Sequence, residues 1–328
     1  MKSKLVISFF LLILTLALFS FWADLKETLR VILEFPKSFF FAALIGSLVS
    51  YFFRFLRWNY FLTIIFSRQQ KKIQLSTRKS FLIFISGLAT VVTPLRTGEV
   101  LKAILVKQLT GIRASKIVPV VVFERLTDGL AMLLLMVLGL LRFHFGVKIF
   151  IVSLLIIITF VFLIQFEKII FGLIELPENF DRLRKFYRPL KKRLINFYSH
   201  SRYLARSKPL FLGTFLGVLG WGFQMLGSSL LVINFTDTPF NFHFLLTCLF
   251  IFSFSAAVGF SIPLPGGIGA AEPTVAGLLH LLLGLQATEA VAATLLIRFS
   301  TLWFGVSLGA IAFKSLTKFL SQSKKQVR

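Results

Sequence analysis

The sequence is poor in acidic residues, cysteine and long polar stretches, and each shortage excludes something. Only 13 Asp and Glu stand against 37 Lys and Arg, a formal net charge of +24. The single cysteine, Cys248, excludes an internal disulfide framework and a cysteine-based metal site. It reads as a small apolar residue in a helix. His144, His243 and His280 have no partner in metal-ligand spacing, so no metal and no other cofactor is expected. There is no phosphate-binding glycine loop followed by Lys-Ser/Thr and no dinucleotide fingerprint. Only one long polar stretch exists, at 167–208, so no loop has room for a separate soluble catalytic domain.

What is present is apolar. Hydrophobic residues make up 56% of the 328 and charged residues 15%, with 41 Phe. A soluble chain of this length has no single core large enough for that surface. Runs at 5–22, 39–66, 117–141, 149–166, 210–235 and 288–313 are each near or above the roughly 20 residues a helix needs to cross hydrocarbon. The first is taken as an uncleaved helix, because Ser20-Phe21-Trp22-Ala23 lacks the small-residue pattern of a cleavage site. Segments 80–110 and 243–285 are interrupted by Pro/Gly breaks and read as helical hairpins. The expected fold is an all-α polytopic membrane protein, with about six full transmembrane helices plus two broken or re-entrant hairpins.

The position of the basic residues excludes nucleic acid as the reason for the +24. The N-terminus and segments 67–79, 110–116, 167–208 and 314–328 hold 25 of the 37 Lys and Arg. The opposite loops, 23–38, 142–148 and 236–242, hold 5. By the positive-inside rule both termini are cytoplasmic, in a cell (inner) membrane. Segment 167–208, with 11 basic and 4 acidic residues, is expected as one or two amphipathic helices on that surface, reading anionic lipid or simply setting topology.

One pattern occurs twice, and the two copies align without a gap. Glu99 is followed by Gly111 and Arg125, and Glu272 by Gly284 and Arg298, at the same offsets of 12 and 26. Each copy follows a break: Pro94-Leu95-Arg96-Thr97-Gly98, and Pro263-Leu264-Pro265-Gly266-Gly267-Ile268-Gly269. The loop sides give the copies opposite orientation. The chain is thus read as a single membrane domain, 1–328, with repeat one about 39–141 and repeat two about 210–313. Paired breaks in two inverted halves point to a binding site at the repeat interface.

Glu99, Glu124, Asp128 and Glu272, with Arg54, Arg57, Arg96, Arg125 and Arg298, fall in apolar segments. A charge there costs at least about 2.5–3.5 kcal/mol, so such residues face the protein interior and pair. Glu124 and Asp128 share one helix face, four residues apart. The repeat suggests Glu99–Arg125 and Glu272–Arg298 as partners, within a repeat or exchanged between repeats. Two readings stay open: ion pairs that dock the hairpins, or a polar path for a head group. Gly266, Gly267 and Gly269 open a helix at Glu272-Pro273, where free N–H groups favour an anion, although Glu272 itself can occupy that end. The glycines of 210–235 read as close helix packing, and Gly217 as a position that tolerates a larger side chain better than Gly267 or Gly269.

Pro94-Leu95-Arg96-Thr97-Gly98-Glu99, Glu124-Arg125-Leu126-Thr127-Asp128, Pro265-Gly266-Gly267-Ile268-Gly269-Ala270-Ala271-Glu272 with Arg298, and Arg57-Trp58 together resemble the lysylphosphatidylglycerol synthase transmembrane family. This is the flippase-like domain of the bacterial multiple peptide resistance factor. The resemblance covers nearly the whole chain. It implies a protein that moves charged lipids between leaflets, without the lysine-transferring synthase domain, and so a transporter rather than an enzyme. The expected substrate contacts are Arg125, Arg298, Glu99, Glu272, Arg96, Gly266, Gly267 and Gly269, with Glu124 and Asp128 for proton coupling. The expected partners are anionic or zwitterionic phospholipids, a second copy of the chain, or a separate lipid-modifying enzyme. Two alternatives remain: a membrane-embedded transferase or glycosyltransferase accessory using a polyprenyl-phosphate-type lipid, and a structural partner protein. The topology is directly testable. Reporters at Lys72, Lys192 and Lys325 are expected on the cytoplasmic side and reporters at Lys26 and Thr238 outside. Opposite sides for Lys72 and Lys192 would end the inverted-repeat reading.

Overall fold

A computed structural model describes residues 23–69, 73, 75–93, 98–140, 143, 147–165, 181–261 and 265–326. These residues form helices and connecting turns, with no strand among them. The expected first span, 5–22, and Arg96 lie outside the described residues.

Helix α1 is Leu25–Glu34, α2 Lys37–Phe66, α3 Thr77–Leu88, α4 Val100–Thr110, α5 Ala114–Leu140 and α6 Val147–Gln165. Then come α7 Asp181–Leu204, α8 Ser207–Val232, α9 Phe242–Ser261, α10 Ala271–Leu283, α11 Ala287–Arg298 and α12 Phe304–Gln326. Among the described residues, four segments are long and apolar enough to cross a membrane: Lys37–Phe66, Ser207–Phe235, Phe242–Gly259 and Ala287–Lys318. Helix α5, at 27 residues, is also longer than the bilayer requires, but it carries Glu124, Arg125 and Asp128 at mid-length.

The two hairpins differ. At 1.5 Å per residue, α3 and α4, of 12 and 11 residues, reach only about 18 and 16 Å, well short of a 30 Å core. In the second hairpin α9 has 20 residues, about 30 Å, and only α10, with 13, is short. The cause is local. Residues 244–261 carry no charge, whereas α3 opens on Thr77-Arg78-Lys79 and its apolar part starts late.

The repeated sequence pattern has a repeated geometry. Helices α4 and α10 both end at a left-handed glycine, Gly111 (φ 75°) and Gly284 (φ 71°). The glycine N–H groups donate to Lys107 O and His280 O, two carbonyls that are themselves equivalent under the repeat. Glycine at this cap has no Cβ to clash in the left-handed region. The next helices start at Ala114 and Ala287, again at equivalent positions.

Packing crosses between the halves. The first arm of each hairpin lies on the last helix of the other half, α3 against α12 and α9 against α5. The second arms lie on their own, α4 against α5 and α10 against α11. Helices α2 and α8 pack together between them. Their contact depends on glycine. A Cβ on Gly46 would fall 2.8 Å from Phe223 O and 3.1 Å from Gly227 Cα. Gly217 is as crowded: a Cβ there would sit 3.0 Å from Arg57 Nη1 and 3.1 Å from Thr127 O. The tolerance expected of Gly217 is therefore not available, because its missing side chain makes room for a buried guanidinium.

Two helices lie beside the bundle. Sequence patterning leaves 23–38 as a loop, but α1 forms there. Asp24 caps it, accepting from Lys26 N–H at 2.8 Å and Glu27 N–H at 3.2 Å. Thr28 is buried, Phe35 stacks on Phe235, and Leu25, Leu29 and Leu33 are exposed along one face, as in a helix lying at a lipid interface. In the basic stretch, α7 is one helix whose end docks on α5 and α2 through buried Tyr198, Ser201 and Leu204.

Gly46→Val is expected to lower the melting temperature in detergent, by an overpacking cost of about 1–3 kcal/mol. Gly222→Val, where an added Cβ meets nothing within 4 Å, is expected to leave it within error of the parent. Equal melting of the two variants would remove the close α2–α8 contact as a determinant of the fold.

Candidate functional site

A cavity of about 550 Å³ lies between the two halves. Its polar wall carries Arg54, Glu99, Lys102, Arg125 and Arg298. Its apolar wall includes Phe84, Leu88, Leu133, Ile156, Ile157 and Leu302. Of the charges, Arg54 and Arg125 sit well inside their helices, Glu99 and Lys102 lie at the start of α4, and Arg298 ends α11. Arg54 lies just past the middle of α2, Arg125 just before the middle of α5, and Trp221 close to the middle of α8. In a spanning bundle that is the bilayer midplane, the depth at which inverted-repeat transporters bind substrate.

In repeat two, Arg298 at the end of α11 pairs with Glu272 in the first turn of α10, Nε to Oε1 at 2.8 Å. Glu272 Oε2 accepts the N–H of Gly269 at 2.8 Å. The carboxylate therefore bridges the glycine turn and the arginine, and it takes up a backbone donor that an anion would otherwise use. Gly266, Gly267 and Gly269 all have positive φ, 62°, 71° and 89°. Gly266 and Gly267 line the cavity, and a Cβ on Gly267 would lie 3.4 Å from Gly259 Cα of α9, an ordinary contact, so it is the positive φ that asks for glycine there. These glycines are needed first to turn the chain back against α9.

Repeat one has the matching pair, Arg125 Nε to Glu99 Oε2 at 3.4 Å. Both pairs form within a repeat, not between repeats. Around the first pair a larger network is built. Asp128 Oδ1 accepts from Arg57 Nη2 at 2.7 Å and Trp221 Nε1 at 2.9 Å. Its Oδ2 faces Arg125 Nη1 at 2.9 Å and Arg54 Nη2 at 3.4 Å. Arg54 also lies over the Trp221 ring at 4.4 Å. Glu124, although on the same face as Asp128, has a separate partner: Lys102 Nζ at 2.6 Å. Lys102 reaches Glu99 at 3.5 Å and lies over the Trp58 ring at 4.9 Å.

Sequence reasoning missed Lys102, Trp221 and Tyr51. Lys102 sits in α4 among apolar residues, three after Glu99, and that i,i+3 spacing is the signal that would have found it. Gly87 supports it, since a Cβ there would strike Lys102 Cδ at 2.7 Å. Tyr51 has no sequence signal. After Arg298 the chain takes a π turn, Phe299–Trp303, where repeat one simply continues α5. Tyr51 Oη donates to Thr301 O within that turn at 2.7 Å, satisfying a carbonyl of the widened turn. Positions 102, 124 and 128 of repeat one correspond to Val275, Ile297 and Thr301 of repeat two, so the extra charges all belong to one half.

Removing the cation from a buried pair typically costs about 3–5 kcal/mol. Lys102→Met is thus expected to destabilise the protein by about that much in a denaturation series. Adding Glu124→Gln should recover a large part of the loss. No recovery would show that Glu124 is not the carboxylate Lys102 compensates.

None of the curated proteins compared with the chain matches it. The family described as the lysylphosphatidylglycerol synthase TM region matches residues 4–309, so both hairpins, both Glu–Arg pairs and the cavity between them fall inside the matched region. The chain belongs to the lysylphosphatidylglycerol synthase transmembrane family.

Proposed function

We propose that the protein is a flippase-like translocator in the cell membrane, built from two inverted repeats with both termini cytoplasmic, that passes a charged lipid head group between leaflets through the cavity. The observation that carries this reading is the pair of equivalent ion pairs, Glu99–Arg125 and Glu272–Arg298, brought from opposite halves to one cavity at mid-depth. Intramembrane ionisable groups facing a cavity mark substrate paths, and the apolar wall suits the first carbons of acyl chains. Ile156 lines the cavity while 65% exposed on the outside of α6, which gives chains a lateral way to stay in the bilayer.

In this mechanism Arg125 and Arg298 contact the phosphate in turn, and Glu99 and Glu272 hold them when the site is empty. Glu124 is the better of the two candidates for proton coupling. Its Oε1 has no hydrogen-bond partner among the described residues, whereas both Asp128 oxygens are engaged by cations. A second copy of the chain or a separate lipid-modifying enzyme would complete the pathway.

Arg298→Gln is expected to slow leaflet exchange of fluorescent phospholipid in reconstituted vesicles by on the order of tenfold or more. A lost charge-assisted hydrogen bond is worth about 1.5–3 kcal/mol, and 1.4 kcal/mol is tenfold. Arg125→Gln should slow exchange as well, with a stability loss on top because Arg125 also pairs Asp128. Unchanged exchange by a folded Arg298→Gln protein would remove the phosphate role of that residue.

A further inference from the structure

The balance of charge and spare donors around the cavity goes further than a charged head group. Nine ionised side chains surround it among the described residues: Arg54, Arg57, Lys102, Arg125 and Arg298 against Glu99, Glu124, Asp128 and Glu272. The set is net positive by one. Every carboxylate already faces a cation of the protein, at 2.6 Å for Glu124, 2.7 Å for Asp128, 2.8 Å for Glu272 and 3.4 Å for Glu99. Glu124 Oε1 lacks a hydrogen-bond partner among the described residues, but Glu124 is not among the cavity-lining residues, whereas two donors on the cavity wall are left over. Arg298 Nη2 and the Ser255 hydroxyl are buried without a hydrogen-bond partner among the described residues, and both residues line the cavity. Ser255 is 1% exposed. An unpaired buried donor costs free energy until something accepts from it, and a phosphate oxygen does. An incoming ammonium would meet a net positive site in which each carboxylate already faces a cation of the protein.

Resting on the translocation reading above, we propose that the substrate class is a phosphate-bearing lipid whose head group is net negative, with Arg298 and Ser255 as its direct contacts, and that a head group bearing a further ammonium is rejected. The carboxylates then serve as internal counter-ions and not as sites for a cationic moiety. The acceptor is a lipid phosphate and not a free anion, because apolar side chains, Phe84, Leu88 and Leu302 among them, share the cavity wall.

The protein is reconstituted into phosphatidylcholine vesicles, and exchange of tail-labelled phosphatidylglycerol, phosphatidylethanolamine and lysyl-phosphatidylglycerol is followed by quenching of the outer leaflet. The rates are expected to fall in that order, phosphatidylglycerol exceeding lysyl-phosphatidylglycerol by tenfold or more. Ser255→Ala should cut the phosphatidylglycerol rate by about fivefold or more at unchanged melting temperature, and Arg298→Gln by about tenfold or more, with a lowered melting temperature because Glu272 loses its cation. Radiolabelled inorganic phosphate should not enter or bind. A lysyl-phosphatidylglycerol rate equal to or above that of phosphatidylglycerol overturns the charge selection and leaves the translocation reading standing. Phosphatidylglycerol rates in both folded variants equal to the parent overturn the two contacts. Phosphate uptake overturns the lipid assignment. No exchange of any lipid above empty vesicles overturns the translocation reading itself.

Discussion

Hydrocarbon does not solvate ions, and the described residues of this chain place nine ionised side chains around a cavity inside the bundle. At about 2.5–3.5 kcal/mol or more for each isolated charge, no arrangement survives in which they face lipid singly. Much of the architecture answers that constraint. Helix α8 carries glycine at 217 and 220, where side chains would displace Arg57 and Arg54. Gly87 leaves space for Lys102, and Trp221 gives Asp128 a donor and Arg54 an aromatic face. Buried ion pairs add little stability over an apolar core of the same volume, so their value lies in specifying one docking geometry or in serving a ligand.

The parts of this design that rest on composition and periodicity were legible in the sequence. Helical spans, the mid-membrane charges and the ungapped repeat all follow from residue order alone, and the left-handed caps at Gly111 and Gly284 show the repeat to be geometric as well. The parts that depend on which helix lies beside which were not. Residues 124 and 128 share a helix face, yet Glu124 turns to Lys102 of α4 while Asp128 turns to Arg57 of α2. Spacing fixes a face but not the neighbour on it. Helix α1 was hidden because short interfacial helices have neither the length nor the hydropathy of a span. Gly217 reads as spare in the sequence because the arginine that needs its space, Arg57, belongs to a helix in the other half.

The halves are alike in backbone and unlike in charge. Lys102, Glu124 and Asp128 meet Val275, Ile297 and Thr301 at the equivalent positions, and only the second half has the π turn held by Tyr51. One half therefore presents a dense network in which each carboxylate meets at least one cation. The other presents one carboxylate, one guanidinium and an unfilled donor. Two hairpins with matching caps and matching Glu–Arg pairs thus bring two chemically distinct contacts to one cavity.

The exchange of hairpin arms has a mechanical meaning. Because α3 rests on α12 and α9 on α5, while α4 and α10 stay with their own halves, each half grips a lever belonging to the other. Each hairpin therefore has one arm packed on each half, α3 on α12 with α4 on α5, and α9 on α5 with α10 on α11. The turn between the arms is the place where the two halves are joined through a single short piece of chain, so neither half can be removed from the bundle without unseating a hairpin of the other.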